Sequence, residues 1–370
     1  MSSPFRIPGR VVTGWGSFEE LGDACAPLGR RALVVTGRTA MKKAGITDRA
    51  VALLKAAGLA AEVFDGCEPE PDVATVDVAR EAARAAKADL VIGLGGGSAM
   101  DLAKAVAGLA GESAPTTEFH QGREVAAAGL PFVAVPTTSG TGSEATINSV
   151  ISDRARKVKA SIRAASFMAR VALVDPELTV PCPAEVTAHA GLDALSQAVE
   201  SYVSVHATAI TEALSLRAAA ELAAAVEQAV ASPADRVART RAAMGSLMAG
   251  MALGNARLGV IHGIVHPLGV RYGIPHGLAC GVFLPTALEY NREAAGAKYA
   301  ALADVFGTDP VEFTRGLLRR VGVTESFKAF GVRVDDFDTI ADESLRSGSL
   351  KANPRKVTRD DVVAMLRRLC

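Results

Sequence analysis

The chain has no surplus of either charge, few aromatic residues and no paired cysteines, and each deficit removes a class of function. Forty Lys and Arg balance forty Asp and Glu over 370 residues, so no net field exists to gather nucleic acid or an anionic membrane surface. Aromatics at 5% offer few platforms on which bases could stack. Uncharged stretches such as 242–256 between Arg241 and Arg257 fall short of the roughly 20 apolar residues a bilayer span requires, so no membrane partner is expected. The N-terminal MSSPFRIPGR lacks the apolar core of a secretion signal, which points to the cytoplasm. The five cysteines, Cys25, Cys67, Cys182, Cys280 and Cys370, are odd in number, scattered and never in a CxxC pair. They are expected to be reduced, small buried hydrophobes rather than a disulfide framework or a thiolate metal site.

What is present is enough apolar material, 49%, for two domains meeting at a cleft where a ligand can collect. In the first half, short apolar runs (Ala32–Thr36, Ala61–Phe64, Asp89–Leu94, Phe132–Val135 and Val171–Val174) alternate with helical stretches such as 73–87, the rhythm of βαβ units. Strands apolar on both faces imply a parallel sheet covered on both sides. Beyond the Pro-Cys-Pro stretch at 181–183 the pattern changes to long Ala/Leu-rich segments of 3.6-residue period at 186–204, 208–232 and 236–259. The expected architecture is an α/β domain over 1–182 followed by an all-helical domain over 183–370.

Two loops carry chemistry. Gly95-Gly96-Gly97-Ser98-Ala-Met-Asp101-Leu-Ala-Lys104 follows a strand and opens a helix, where free N–H groups and the helix dipole attract a pyrophosphate. Pro136-Thr137-Thr138-Ser-Gly-Thr141-Gly-Ser-Glu144 again follows an apolar strand and offers hydroxyls to phosphate and ribose oxygens. Two such loops at the ends of neighbouring strands face one crevice, which predicts a dinucleotide. Three of the six histidines fall at 262, 266 and 276. His262 and His266 share a helix face, and the turn Arg271–Pro275 can return His276 to them, a pattern suited to a metal or to proton transfer.

Jointly, GGGSAMDLAK, PTTSGTGSEAT, VALVDPEL and HGIVHPLGVRYGIPHG resemble the iron-containing (group III) alcohol dehydrogenase family, in order and along nearly the whole chain. The resemblance implies a dinucleotide-binding α/β domain with a helical metal-binding domain, the architecture shared with dehydroquinate synthase. It implies cofactor contacts from Gly96, Gly97, Ser98, Asp101, Thr137, Thr138, Thr141, Asn148 and Lys159. It further implies metal ligation by Asp193, His262 and His276, with Gln197 at a position where the family usually has His, and His266 as a catalytic residue near the nicotinamide. The neutral Gln197 amide is a poorer donor than imidazole to Fe²⁺ or Zn²⁺. NAD-preferring members often carry Asp after the first strand, where Gly37 stands here; with no carboxylate to repel a 2′-phosphate, NADP becomes permissible, and Arg38, Lys42 or Lys43 can attract it.

The implied activity is NAD(P)-dependent hydride transfer between a small alcohol and its aldehyde, in the cleft, by a dimer or larger homo-oligomer. Two alternatives stay open. One is a metal-independent or metal-weak reductase of an anionic oxo acid, enoyl acid or phosphonate aldehyde, similar to maleylacetate reductases, with Arg257 or Arg271 as anchor. The other is a dehydroquinate synthase-like lyase. His189, one turn before Asp193, is a further possible ligand, whereas His120 and His206 lie outside every motif and are expected at the surface.

Overall fold

The computed structural model describes residues 4–370. Contacts divide the chain into an α/β unit, Arg6–Thr138 with Gly142–Cys182, and a helical unit, Pro183–Cys370 with Ser139–Thr141.

The α/β unit is built on a six-stranded parallel sheet of β1 (Arg10–Thr13), β2 (Arg31–Gly37), β3 (Ala60–Cys67), β4 (Leu90–Gly95), β5 (Phe132–Pro136) and β8 (Val171–Val174). The strand order is β1-β8-β5-β4-β2-β3. Every residue of β4, β5 and β8 is buried, because helices cover both faces. Alternate residues feed two separate cores: Leu33, Val35, Val91 and Phe132 on one face, Val34, Ile92, Leu94 and Val133 on the other. Five strands lie where the apolar runs predict them. The sixth, β1, is a four-residue edge strand too short to stand out from its flanks. Also unanticipated is an antiparallel hairpin of β6 (Asn148–Asp153) and β7 (Val158–Arg163), whose polar composition hides its period of two.

Topology positions the nucleotide loops. β3 lies on one side of β2 and β4 on the other, so the sheet changes direction between β2 and β4, and ligands of such sheets collect beyond the strand ends at that point. Gly37 ends β2, and Gly95 and Pro136, register partners, end β4 and β5.

The helical unit rests on one continuous apolar core. Its long helices Ala184–Val203, Ala209–Ala231 and Arg236–Ala256 begin where the chemistry of their ends dictates. Thr208 and Thr211 form a capping box at the second, and Asp235 accepts from the Ala238 N–H at the third. Two further helices, Val260–Tyr272 and His276–Ala295, are separated by Gly273, whose left-handed φ of 65° stops the first of them. Among the described residues, no helix is long and apolar enough to cross a membrane.

Candidate active site

Three helices build the histidine cluster. Asp193 projects from Ala184–Val203, His262 from Val260–Tyr272, and His276 opens His276–Ala295. Gly277 lets the last of these approach, since a Cβ there would lie 2.2 Å from the His189 carbonyl oxygen. Asp193 Oδ1 is 3.3 Å from His262 Nε2 and 3.8 Å from His276 Nε2. Cys280 Sγ lies 3.7 Å from both of those nitrogens. Ligand atoms of the four residues all fall within 4.8 Å of one another, so a thiol stands among the candidate ligands, against the expectation that every cysteine is an inert hydrophobe. A signal for it was available, because Cys280 is one helical turn from His276, the same spacing as His262 to His266. His189 is not part of this group.

Glu200, one helical turn past Gln197, was not anticipated and decides the electrostatics. Its buried carboxylate accepts from the Ile261 N–H at 2.5 Å and from His262 Nδ1 at 2.6 Å. With the Nδ1 proton committed there, Nε2 of His262 faces the Asp193 carboxylate and meets it favourably only when it carries a cation, a proton or a metal. That juxtaposition calls for a cation. Burial opposes charge on His262, yet Cys280, Asp193 and Glu200 hold its pKa well above the usual histidine value. Burial pulls the Asp193 pKa upward, but hydrogen bonding from His262 and the nearby His276 leave it below the usual carboxylate range. A proton satisfies one facing pair; four donor atoms converging on one point are the pattern that holds a metal. Gln197 stands beside them with its side chain bonded to Asp193, while its Oε1 is buried with no hydrogen-bond partner. An unsatisfied buried acceptor costs about 1–3 kcal/mol, so the cluster is built to receive a further group. The residues therefore fit a divalent metal. His266, half-buried, stacks on His276 with ring centroids 5.1 Å apart.

In the α/β unit, Gly96 caps the Gly97–Gly108 helix, with Ser98 in its first turn. The two loops lie side by side: Thr137 N–H donates to the Gly95 carbonyl at 2.8 Å, and a Cβ on Gly96 would meet the Thr138 side chain at 3.4 Å. Asp101 accepts from the Ser143 hydroxyl at 2.8 Å and so ties the first loop to the second. Lys104, unassigned from sequence, is fully buried and donates to Ser143 O, Ser143 Oγ, Thr146 Oγ1 and Asn148 O. Burial pushes its pKa down to about 8 against the pull of Asp101 and Glu144. Lys159 is paired with Glu70 at 2.6 Å, and the Glu70 N–H in turn donates to Ser98 Oγ at 3.2 Å. Thr141 groups with the helical unit.

Glu144 is buried beside Lys104, and burial pushes its pKa up to about 7 while its own backbone N–H and Lys104 pull the other way. The folded chain thus keeps a proton that the unfolded chain releases near pH 4.3. This group's stabilisation is complete below that pH and is lost as pH rises through 7. Glu144→Gln keeps the shape and removes the titration. Between pH 5 and pH 8 the variant is expected to gain roughly 1–3 kcal/mol of unfolding free energy relative to wild type in urea melts. A pH-independent difference would contradict this assignment.

Several side chains resolve otherwise. Arg271 is bound in an ion pair with Glu343, which makes it structural, whereas Arg257 is exposed at the end of its helix with φ 67°. His206 is exposed, but His120 is half-buried and bonds the Ile151 carbonyl oxygen at 2.9 Å, a correction to its expected surface position.

Comparison with known proteins supplies the wider context. Residues 8–176 match the family described as iron-containing alcohol dehydrogenase, and 187–370 its C-terminal domain. Long-chain-alcohol dehydrogenase 1 of Geobacillus thermodenitrificans is 34% identical over 95% of this chain and 93% of its own length. The crystal structure of a 1,3-propanediol oxidoreductase superposes with a TM-score of 0.96 at 32% identity, covering 100% of both chains. Sulfoacetaldehyde reductase from Bifidobacterium kashiwanohense, solved in complex with NAD⁺, superposes with a TM-score of 0.93 at 30% identity over 100% of this chain and 99% of that one. With its sheet topology, its helical unit and its full-length relatives in agreement, the chain belongs to the iron-containing alcohol dehydrogenase family, enzymes that interconvert alcohols and aldehydes.

Proposed function

We propose that this chain catalyses reversible hydride transfer between a nicotinamide dinucleotide, NADP(H) in preference to NAD(H), and a small alcohol or aldehyde, with a divalent metal held by Asp193, His262 and His276. The observation that carries the reading is the buried Asp193–His262–Glu200 line. Glu200 accepts a hydrogen bond from His262 Nδ1 at 2.6 Å and leaves Nε2 aimed at Asp193. Carboxylate–histidine–metal lines of this kind fix the tautomer and orientation of a ligand.

When bound, the dinucleotide carries the hydride and the metal polarises the carbonyl or stabilises the alkoxide. The protein's part follows from its own residues. The free N–H groups at Gly97 and Ser98, with the dipole of a twelve-residue helix, attract the pyrophosphate. Thr137 and Thr138 offer hydroxyls beside it, and Asn148 and Lys159 complete the cofactor contacts. Lys104 braces the second loop and the start of β6 from behind. His266, outside the group of converging ligand atoms but stacked on His276, passes the proton outward. The preference for NADP(H) rests on Gly37, where a Cβ would have only the Cys67 carbonyl oxygen within 4 Å, at 3.9 Å, and on the exposed Arg38, Lys42 and Lys43 that follow.

The test is metal analysis of the purified protein combined with NADH and NADPH oxidation across neutral and anionic aldehydes, with and without chelator. Nicotinamide oxidation that falls with chelation and returns with metal is the expected result. Full turnover in metal-free protein would sink the metal-assisted reading. With Arg271 committed to Glu343, an anionic-substrate reading rests on Arg257, and a marked preference for anionic aldehydes in the same panel would favour it.

A further inference from the structure

We infer that Cys280 is the fourth ligand of this metal site and that its thiolate sets the site for zinc rather than iron. The inference rests on the metal-assisted reading above and says which donors and which ion that reading involves.

Geometry carries it. A tetrahedral ion with metal–nitrogen and metal–oxygen bonds of about 2.0–2.2 Å and a metal–sulfur bond of about 2.3 Å places its oxygen about 3.3 Å from each nitrogen, and its sulfur about 3.6 Å from each. Here Asp193 Oδ1 lies 3.3 Å and 3.8 Å from the two imidazole nitrogens, and Cys280 Sγ lies 3.7 Å from each of them. The sulfur is thus spaced as a tetrahedral vertex from both nitrogens at once. The competing fourth donor is Gln197 through its unpartnered Oε1, but a neutral amide oxygen is a poorer donor to these ions than a thiolate.

Four features suit the sulfur to ligation. It is fully buried, so no solvent competes for it. It comes from the same helix as His276, one turn on, so a single rigid element presents both donors. The helix carrying His262 is held by Glu200 through both its backbone and its imidazole, which fixes the facing nitrogen. The set of one carboxylate, two imidazoles and one thiolate includes a soft donor, which adds to the intrinsic advantage of Zn²⁺ over Fe²⁺ at nitrogen and sulfur sites. Binding exchanges one cation for another at sulfur: the S–H bond breaks, the sulfur–metal bond forms, the proton leaves to solvent, and no oxidation state changes.

The experiment is X-ray absorption at the zinc edge of full-length protein loaded with one equivalent of Zn²⁺, beside Co²⁺ titration of wild type and Cys280→Ser. Expected are one sulfur scatterer at about 2.3 Å among oxygen and nitrogen neighbours, and a sulfur-to-cobalt charge-transfer band in the near ultraviolet. Cys280→Ser should lose the band and bind Zn²⁺ at least tenfold more weakly, and wild type should take Zn²⁺ over Fe²⁺ in anaerobic competition. The scattering measurement needs only wild type, so a poorly folding variant does not block the test. Stoichiometric metal with no sulfur neighbour overturns this inference and leaves the metal-assisted reading standing. Failure to bind any of the three ions overturns both.

Discussion

Asp193→Asn is expected to strip the helical unit of its metal and to lower kcat/KM by about 10³-fold, the loss of roughly 4 kcal/mol of charge stabilisation at the reacting oxygen. The substitution is nearly isosteric, so the fold should persist. Asp193 is the only carboxylate among the four converging candidate ligands, and an amide in its place removes the negative charge that the His262 and His276 nitrogens face. Two measurements check it beside the rate. Metal content should fall from about one ion per chain to a small fraction of that, since the site has lost its one carboxylate. Chelator should lower the melting temperature of wild type by roughly 5–10 °C, because a ligand bound only to the folded state stabilises by mass action, and should leave the variant unmoved. Normal metal content in a dead variant would mean that Asp193 acts on substrate instead, and a fully active variant would remove it from the site.

The second large effect concerns the cofactor. Gly37→Asp should reduce the ratio of kcat/KM for NADPH to that for NADH by about 100-fold, because a carboxylate about 4 Å from a phosphate repels it by about 4 kcal/mol at an effective dielectric near 20. The position tolerates the change. It ends β2 outside the left-handed region, and the nearest obstacle to a Cβ is the Cys67 carbonyl oxygen at 3.9 Å. Steady-state kinetics with both cofactors at one aldehyde concentration suffices. Equal loss with both would show general damage to the loop, and no change would place the ribose elsewhere.

Much of the fold is legible because it is local. β2, β4, β5 and β8 are apolar on both faces, a property of a few consecutive residues, and each predicted run finds its strand. The glycine loop is likewise a strand end followed by a helix start, which composition announces. The β6–β7 hairpin escaped because its alternation buries Ser149 and Asp153 as well as Ile151, so polarity masks the pattern. Lys159 was read as a positive charge for the cofactor, and its ion pair with Glu70, 89 positions away, lay beyond any local pattern.

The active site divides the same way. By itself the sequence determined that His262 and His266 share a helix face, that His276 follows a turn, and that Asp193 lies on a helix, because 3.6-residue periodicity reaches only about one turn from each residue. Which rotation each helix presents to the others is set by burial of its apolar face across the whole unit, and no local pattern encodes that. Tertiary structure alone therefore decided that Glu200 orients His262 across 62 positions, that Lys104 braces a loop some 40 residues on, and that Cys280 turns its sulfur toward two imidazoles and a carboxylate.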